Sequence, residues 1–273
     1  MKRWLIAVLL IAVAAAAGMF RGASGRFSAN PSATADGEGR EEIRQTYQLS
    51  PGANVEVRGI NGQVDIETSD TTTAEVYILR TASTQTDLET RKVTITATPT
   101  SLVIQGENDR GGFWQRLWHN EVKQQVTLKL PRSIALLVKG VNGPVTAEEV
   151  TGALSVSGVN GKVRMAQTNG YSEISGVNGS VTVSIKQLGE KGIRIKGING
   201  AVELRFADKV NADVEARGIN GRVKAELPDV TVQGESERSK YNARIGAGGA
   251  PVNVSGVNGS VRLVRDTTAT TSE

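Results

Sequence analysis

Cysteine is absent from this chain and histidine occurs once, at His119. Triads built on histidine and zinc sites built on several imidazoles or thiolates are therefore closed to it. Disulfides are closed as well, so stability has to come from a packed interior. Aromatic residues make up 4% of the sequence, which leaves that interior to aliphatic side chains. An excess of one charge is also missing: 32 basic and 28 acidic residues give a formal net charge of +4. Without Lys2 and Arg3 the balance is 30 against 28, far from the basic footprint of a nucleic-acid binder, so no nucleic-acid partner is expected.

Long hydrophobic runs are missing except for one. Lys2 and Arg3 precede an uncharged stretch from Trp4 to Ala17 that ends in four alanines and Gly18. This is the layout of a secretory signal with a small-residue cleavage site. Residues 4–20 fall a little short of the twenty or so that span a bilayer as a helix, and an uncleaved amino-terminal anchor helix is the alternative. With no cysteine after the alanines, a lipoprotein anchor is excluded. Residues 21–40, rich in Gly, Ser, Ala and Asn, read as a flexible linker, and residues 265–273 as a polar disordered tail.

What is abundant is one phrase, Gly-(Ile/Val)-Asn-Gly, which begins at Gly59, Gly140, Gly158, Gly176, Gly197, Gly218 and Gly256. From Gly140 to Gly218 the starts are 18, 18, 21 and 21 residues apart, and Gln167-Thr168-Asn169-Gly170 is a degenerate copy. A fixed period means stacked, repeated units. On both sides of the phrase apolar and polar residues alternate, as in Ile193 and Ile195 against Arg194 and Lys196, the mark of half-buried strands. Asn-Gly tolerates positive φ and turns the chain. The second residue is always Ile or Val, so the bend itself sends a side chain inward.

A meander of hairpins and a β-solenoid of two-strand rungs, about 18–21 residues each, both fit. The all-β solenoid is preferred because it explains the first Gly and the fixed Ile or Val. In such a stack the structural-turn residues Asn61, Asn142, Asn160, Asn178, Asn199, Asn220 and Asn258 would form a ladder, with Asn178 central, Asn258 terminal and positive φ at the asparagine. The repeat-bearing region is 41–264, with 41–131 an irregular amino-terminal cap and 133–264 the regular repeats. The interval from Gly218 to Gly256 lacks a phrase and carries the charged segment 235–240, read as an outward loop.

Three features are candidate sites. The residue before each phrase (Arg58, Lys139, Ser157, Ser175, Lys196, Arg217, Ser255) forms a column that is basic in four places. It would meet anionic glycans or headgroups, or merely solvate a face, given Glu56, Glu173 and Glu215 two residues earlier. Phe113, Trp114, Leu117 and Trp118 share one face of a short helix and form a partner-binding or membrane-interface patch, or a lid on the core. A repeat-borne calcium site requires Asp where the phrase has Asn-Gly, so no metal and no cofactor is expected. No catalytic residue is identified.

The export signal, the degenerate β segment, Leu130-Pro131 leading into Leu136-Leu137-Val138, and the repeated Gly-x-Asn-Gly strands resemble the bacterial putative-adhesin family of β-strand-repeat proteins of unknown function. The resemblance implies a non-enzymatic β-solenoid in the cell envelope, on the cell surface or secreted. Its role would be adhesion or scaffolding, with a protein, glycan or membrane surface as partner. The alternatives are a periplasmic sensor or accessory protein of envelope stress that binds a partner or a membrane through the aromatic stretch, and a polysaccharide-active β-helix enzyme. Amino-terminal sequencing of the native protein is expected to begin shortly after Ala17; an intact Met1 on membrane-embedded protein establishes the anchor instead.

Overall fold

The computed structural model describes residues 39–107, 122–167, 170–232 and 240–266. The first part contains β1 (Gly39–Gln48), β2 (Asn54–Arg58), β3 (Gly62–Ser69), β4 (Thr73–Ala82), a short helix α1 (Gln85–Thr90), β5 (Val93–Thr98), β6 (Ser101–Gly106) and β7 (Lys123–Pro131). The central part runs through β8 (Ala135–Val141), β9 (Val145–Ala147), β10 (Leu154–Val159), β11 (Val163–Gln167), β12 (Ser172–Asn178), β13 (Val181–Ile185), β14 (Ile193–Asn199) and β15 (Val202–Phe206). The last part holds β16 (Ala212–Ile219), β17 (Val223–Glu226), β18 (Val230–Val232), β19 (Lys240–Ile245), β20 (Ala250–Asn258) and β21 (Val261–Arg265).

The protein is all-β, with two large and mostly parallel sheets of ten and eleven strands among the described residues. The strands on either side of a phrase do not pair with each other. β10 lies in one sheet between β8 and β12, and β11 lies in the other between β9 and β13. The phrase is therefore a bend from one sheet to the other, and a meander of hairpins is excluded. Each such strand pair is here called a rung. Parallel pairing in register sets equivalent residues on one another about 4.8 Å apart: Val138 meets Val156, Val156 meets Ile174 and Ile174 meets Ile195. All four are buried between the sheets.

Two glycines per phrase answer two different needs. Gly176 has φ +60°, in the left-handed region where a side chain is strained, and the first glycines of the other phrases lie within a few degrees of it. This corrects the expectation that the asparagine supplies the left-handed turn, since Asn178 and Asn199 pair in register as strand residues. Gly179 has a different reason, because a Cβ there would stand 2.2 Å from the Gly161 carbonyl oxygen of the next rung. The residue between them points inward: Ile60, Val141, Val159, Val177, Ile198 and Val257 are all 1% exposed. Ile219 is only partly buried, because its rung is the last.

Stack order differs from chain order at both ends. In space the rungs run β6/β7, β2/β3, β8/β9, β10/β11, β12/β13, β14/β15, β20/β21, β16/β17. At the amino end the chain passes from β3 to β4, leaving an empty place that β7 later fills; β4 packs antiparallel on the outside of β7, and β1 on β4. At the other end β20/β21 enters between β14/β15 and β16/β17. Asn258 is thus interior and Asn220 terminal, contrary to the order expected from the sequence. The segment read as an outward loop also ends in a strand, since Lys240 opens β19, which runs antiparallel to β16. From β19 the chain steps over β16 to β20 through Gly246-Ala247-Gly248-Gly249. That crossover is held by Asn211 Oδ1, which accepts from the Ala247 N–H at 2.9 Å, and by Asp213 Oδ2, which accepts from the Gly249 N–H at 3.0 Å. β1 begins at Gly39, so the end of the expected linker 21–40 is strand. The helix α1 was not foreseen, although Thr84 and Asp87 form its capping pair, with Asp87 N–H donating to Thr84 Oγ1 at 3.2 Å.

The asparagine side chains link rung to rung. Asn142 Nδ2 donates to Asn61 Oδ1 at 2.8 Å, Asn160 to Asn142 at 2.9 Å, and Asn178 to Asn160, Asn199 to Asn178, Asn258 to Asn199 and Asn220 to Asn258 at 3.0 Å each. Asn178→Gly breaks two of these bonds and Asn220→Gly one, so at about 1 kcal/mol each the central variant should lose roughly 1 kcal/mol more. Denaturant midpoints for the two variants check this, and equal losses would remove the ladder from the stability of the stack.

Candidate functional site

The column of residues before the phrase lies on the outward face of the eleven-stranded sheet. In-register pairing places it in the order Arg58, Lys139, Ser157, Ser175, Lys196, Ser255, Arg217. Three of its four cations meet the carboxylate two residues earlier on their own strand or on the next one. Arg58 Nη1 lies 3.1 Å from Glu56 Oε1, Lys196 Nζ lies 2.6 Å from Glu173 Oε1, and Arg217 is paired with Glu215. Lys139 has Leu137 two residues before it and no carboxylate partner among the described residues. The strip is therefore mostly neutralised, with serines at its centre.

Glu173 shows what this pairing does to ionisation. The hydrogen bond from Lys196 holds its carboxyl below the usual carboxylate value, against partial burial, and the Tyr171 hydroxyl adds a donor at 3.3 Å. Burial and the neighbouring Glu173 charge push the Tyr171 phenol up. The ten-stranded sheet repeats the scheme on its own outward face, where Arg205 pairs with Glu203 at 2.6 Å and Arg262 with Glu226 at 2.9 Å.

Stacking also assembles groups that are distant in sequence. At the corner where the chain passes from β9 to β10, Glu149 is paired with Lys186, and with Arg132 Nη1 at 3.3 Å, while Arg132 Nε faces Asp70 at 3.3 Å. Thr68 Oγ1 donates to the Glu149 carbonyl at 2.7 Å and the Thr68 N–H to Glu148 Oε2 at 2.8 Å. This network ties together the ends of β7, β3, β9 and β13, strands of four rungs, at the corner opposite the asparagines. The only local signal for it was the adjacent pair Glu148-Glu149. Near the amino end Arg80, buried at 3% exposure, donates to the carbonyls of Leu88 and Arg91 and is paired with Glu41, which pins α1 to β4.

An open groove of about 400 Å³ lies at the amino-terminal end of the asparagine column. Its walls are mainly amides and a hydroxyl, among them Gln63, Gln124, Gln125 and Thr81, with Lys123 the cation and Leu79 and Pro144 the apolar part. Such groups hydrogen-bond without transferring protons. Phe113, Trp114, Leu117 and Trp118, with His119, lie outside the described residues. The ends that flank this stretch are placed, however. A Cβ on Gly106 would stand 2.2 Å from the Gly59 carbonyl oxygen, and the Val122 carbonyl accepts from Asn61 Nδ2 at 2.9 Å. The aromatic stretch thus occupies the chain position that a phrase occupies in the next rung.

Among the described residues no three acidic or histidine side chains converge in a way that would hold a metal ion, and no helix is long and apolar enough to cross a membrane.

No family model matches the chain. No curated protein matches it either. Among solved structures it is similar to a putative cell adhesion protein from Clostridium sporogenes ATCC 15579, with 11% identity and a TM-score of 0.43, over 82% of this chain and 100% of that one. It is also similar to a putative adhesin from Bacteroides fragilis NCTC 9343, with 11% identity and a TM-score of 0.31, over 81% of this chain and 96% of that one. A putative adhesin from Parabacteroides distasonis ATCC 8503 gives 12% identity and a TM-score of 0.27 over 81% and 96%.

The depressed Glu173 carboxyl fixes a sign for pH dependence. Its folded-state value lies below its unfolded one, so its stabilisation is present above the unfolded value and is lost as pH falls through the folded one. Glu173→Gln should be slightly less stable than the wild type at neutral pH and equal to it in strong acid. Denaturation of both at the two pH values tests this, and a difference that persists in acid would assign the effect to packing.

Proposed function

We propose that the chain is a non-enzymatic β-solenoid that is exported and serves at the cell surface or in the envelope as an adhesion or scaffold module. The observation that carries this reading is the arrangement of the two outward faces. The rungs bury their aliphatic side chains between the sheets and turn rows of serine, threonine and paired charges to solvent in fixed register. A face of that kind suits contact with a large surface. Its carboxylates are engaged by neighbouring Arg and Lys rather than paired with one another for acid and base work, which supports a binding role over a polysaccharide-cleaving one.

Seven rungs carry the phrase, and six steps of about 4.8 Å give the asparagine column a length of roughly 29 Å. The faces beside it are broad enough for an extended glycan or a protein partner. Within the column Ser157 and Ser175 are uncharged, flanked on one side by Lys139, which has no carboxylate partner among the described residues, and on the other by the Lys196–Glu173 pair.

Retention of the purified full chain on isolated cell envelope tests the reading. Ser157→Glu, which would stand in register between Lys139 and Ser175, should abolish retention while leaving thermal unfolding unchanged, and deletion of residues 111–118 should leave retention intact. Loss of retention on the deletion alone would favour an accessory protein that works through the aromatic stretch. Retention untouched by either change would overturn the assignment to this face.

A further inference from the structure

The asparagine column is a one-way chain of amides. Each side chain gives an N–H to the Oδ1 of the rung before it and receives one on its own Oδ1 from the rung after it. At the amino end Asn61 gives its Nδ2 to the Val122 carbonyl. At the other end Asn220 donates to Asn258 Oδ1 at 3.0 Å, but no rung lies beyond it, and among the described residues nothing donates to its own Oδ1. In two interior rungs the backbone adds a further bond at the attacking nitrogen: Gly179 donates its N–H to the Asn199 carbonyl at 3.0 Å and Gly200 to the Asn258 carbonyl at 3.1 Å.

Asparagine followed by glycine is the sequence in which the next backbone nitrogen most readily attacks the side-chain amide, because glycine brings no Cβ to obstruct the approach. All seven phrases contain that pair, so the sequence ranks them equally. Solvent exposure ranks them little better, since Asn142, Asn160, Asn178, Asn199, Asn220 and Asn258 are all exposed. The hydrogen bonds do rank them. An interior side chain must break two amide bonds before Cγ can turn toward the glycine nitrogen, and Asn220 must break one.

We propose that Asn220-Gly221 is a site of spontaneous deamidation that the stack itself singles out. The Gly221 nitrogen loses its proton to hydroxide and attacks Cγ of Asn220. The new C–N bond closes a five-membered succinimide, the Cγ–Nδ2 bond breaks, and ammonia leaves carrying the proton returned by water. A second water then opens the ring at either carbonyl, giving aspartate or isoaspartate. No oxidant or reductant takes part. The product is an acceptor facing the Asn258 Oδ1 acceptor, so the last bond of the column is lost. In the isoaspartate form an extra backbone atom enters the bend just before β17, the edge strand of the ten-stranded sheet. The end rung is loosened while those inside it keep their bonds.

The full chain incubated in mildly alkaline buffer, with deamidation at each phrase read by peptide mapping and mass spectrometry, tests the proposal. One hydrogen bond of ordinary net strength corresponds to about fivefold in rate, so Asn220 should lead each interior asparagine by at least roughly that factor. Asn178 and Asn199, whose following glycines are also bonded, should be the slowest. In denaturant the seven rates should converge. An interior asparagine as fast as Asn220 in the native protein, or the same ranking in denaturant, overturns the proposal. Asn169, which lies outside the described residues, does not enter the ranking.

Discussion

Parallel pairing without a register shift is the constraint on which this molecule depends. Once strands stack in that way, every side chain is faced above and below by its own counterpart, about 4.8 Å away. Apolar residues gain from this arrangement, and the valine and isoleucine columns between the sheets supply most of the stabilisation at roughly 1.5–3 kcal/mol for each large side chain buried. Amides gain as well, since each carries a donor and an acceptor and can extend a chain of hydrogen bonds indefinitely. Charges lose, because a repeated cation would face another cation.

The outward column shows how that loss is limited. Serines separate Lys139 from Lys196 and Lys196 from Arg217, and the carboxylates of Glu56, Glu173 and Glu215 stand beside the cations. A strip that looked basic in sequence is therefore close to neutral in space. The glycines obey the same constraint from another side. Gly179 is required because its neighbour in the next rung approaches too closely for a Cβ, and Gly176 because the bend needs a left-handed residue. One four-residue phrase meets a conformational and a steric demand together.

Period-two alternation made the strands legible, and the fixed Ile or Val inside the phrase made the inward bend legible, because both are local patterns. The order of the rungs is not local. β20 fits on β14 as well as β16 would, since each offers the same asparagine, the same glycines and the same alternation. The choice is decided instead by long-range features such as the glycine crossover held by Asn211 and Asp213. The 38-residue gap between the last two phrases was the trace of it in sequence. The Glu149 network escaped notice for the same reason, since Asp70, Arg132, Glu149 and Lys186 meet only after stacking. Helix α1 carried a readable capping pair in Thr84 and Asp87, but its six residues are too few for any periodicity to show.

The interleaved rung has a consequence for the order in which the molecule can be made. A repeat protein that stacks in chain order can add each rung as it emerges from a ribosome or a membrane channel, and an interrupted chain is simply shorter. Here β16 and β17 emerge before the rung that separates them from β14 and β15. Until residues 250–265 arrive, the inner face of that pair has no lasting neighbour. In a chain cut short before residue 250, β16 and β17 either stand apart from β14 and β15 or stack on them directly, a place they do not hold in the finished molecule. The last-made strands have to be inserted between elements already present, so completing the chain rearranges the end of the stack instead of only lengthening it.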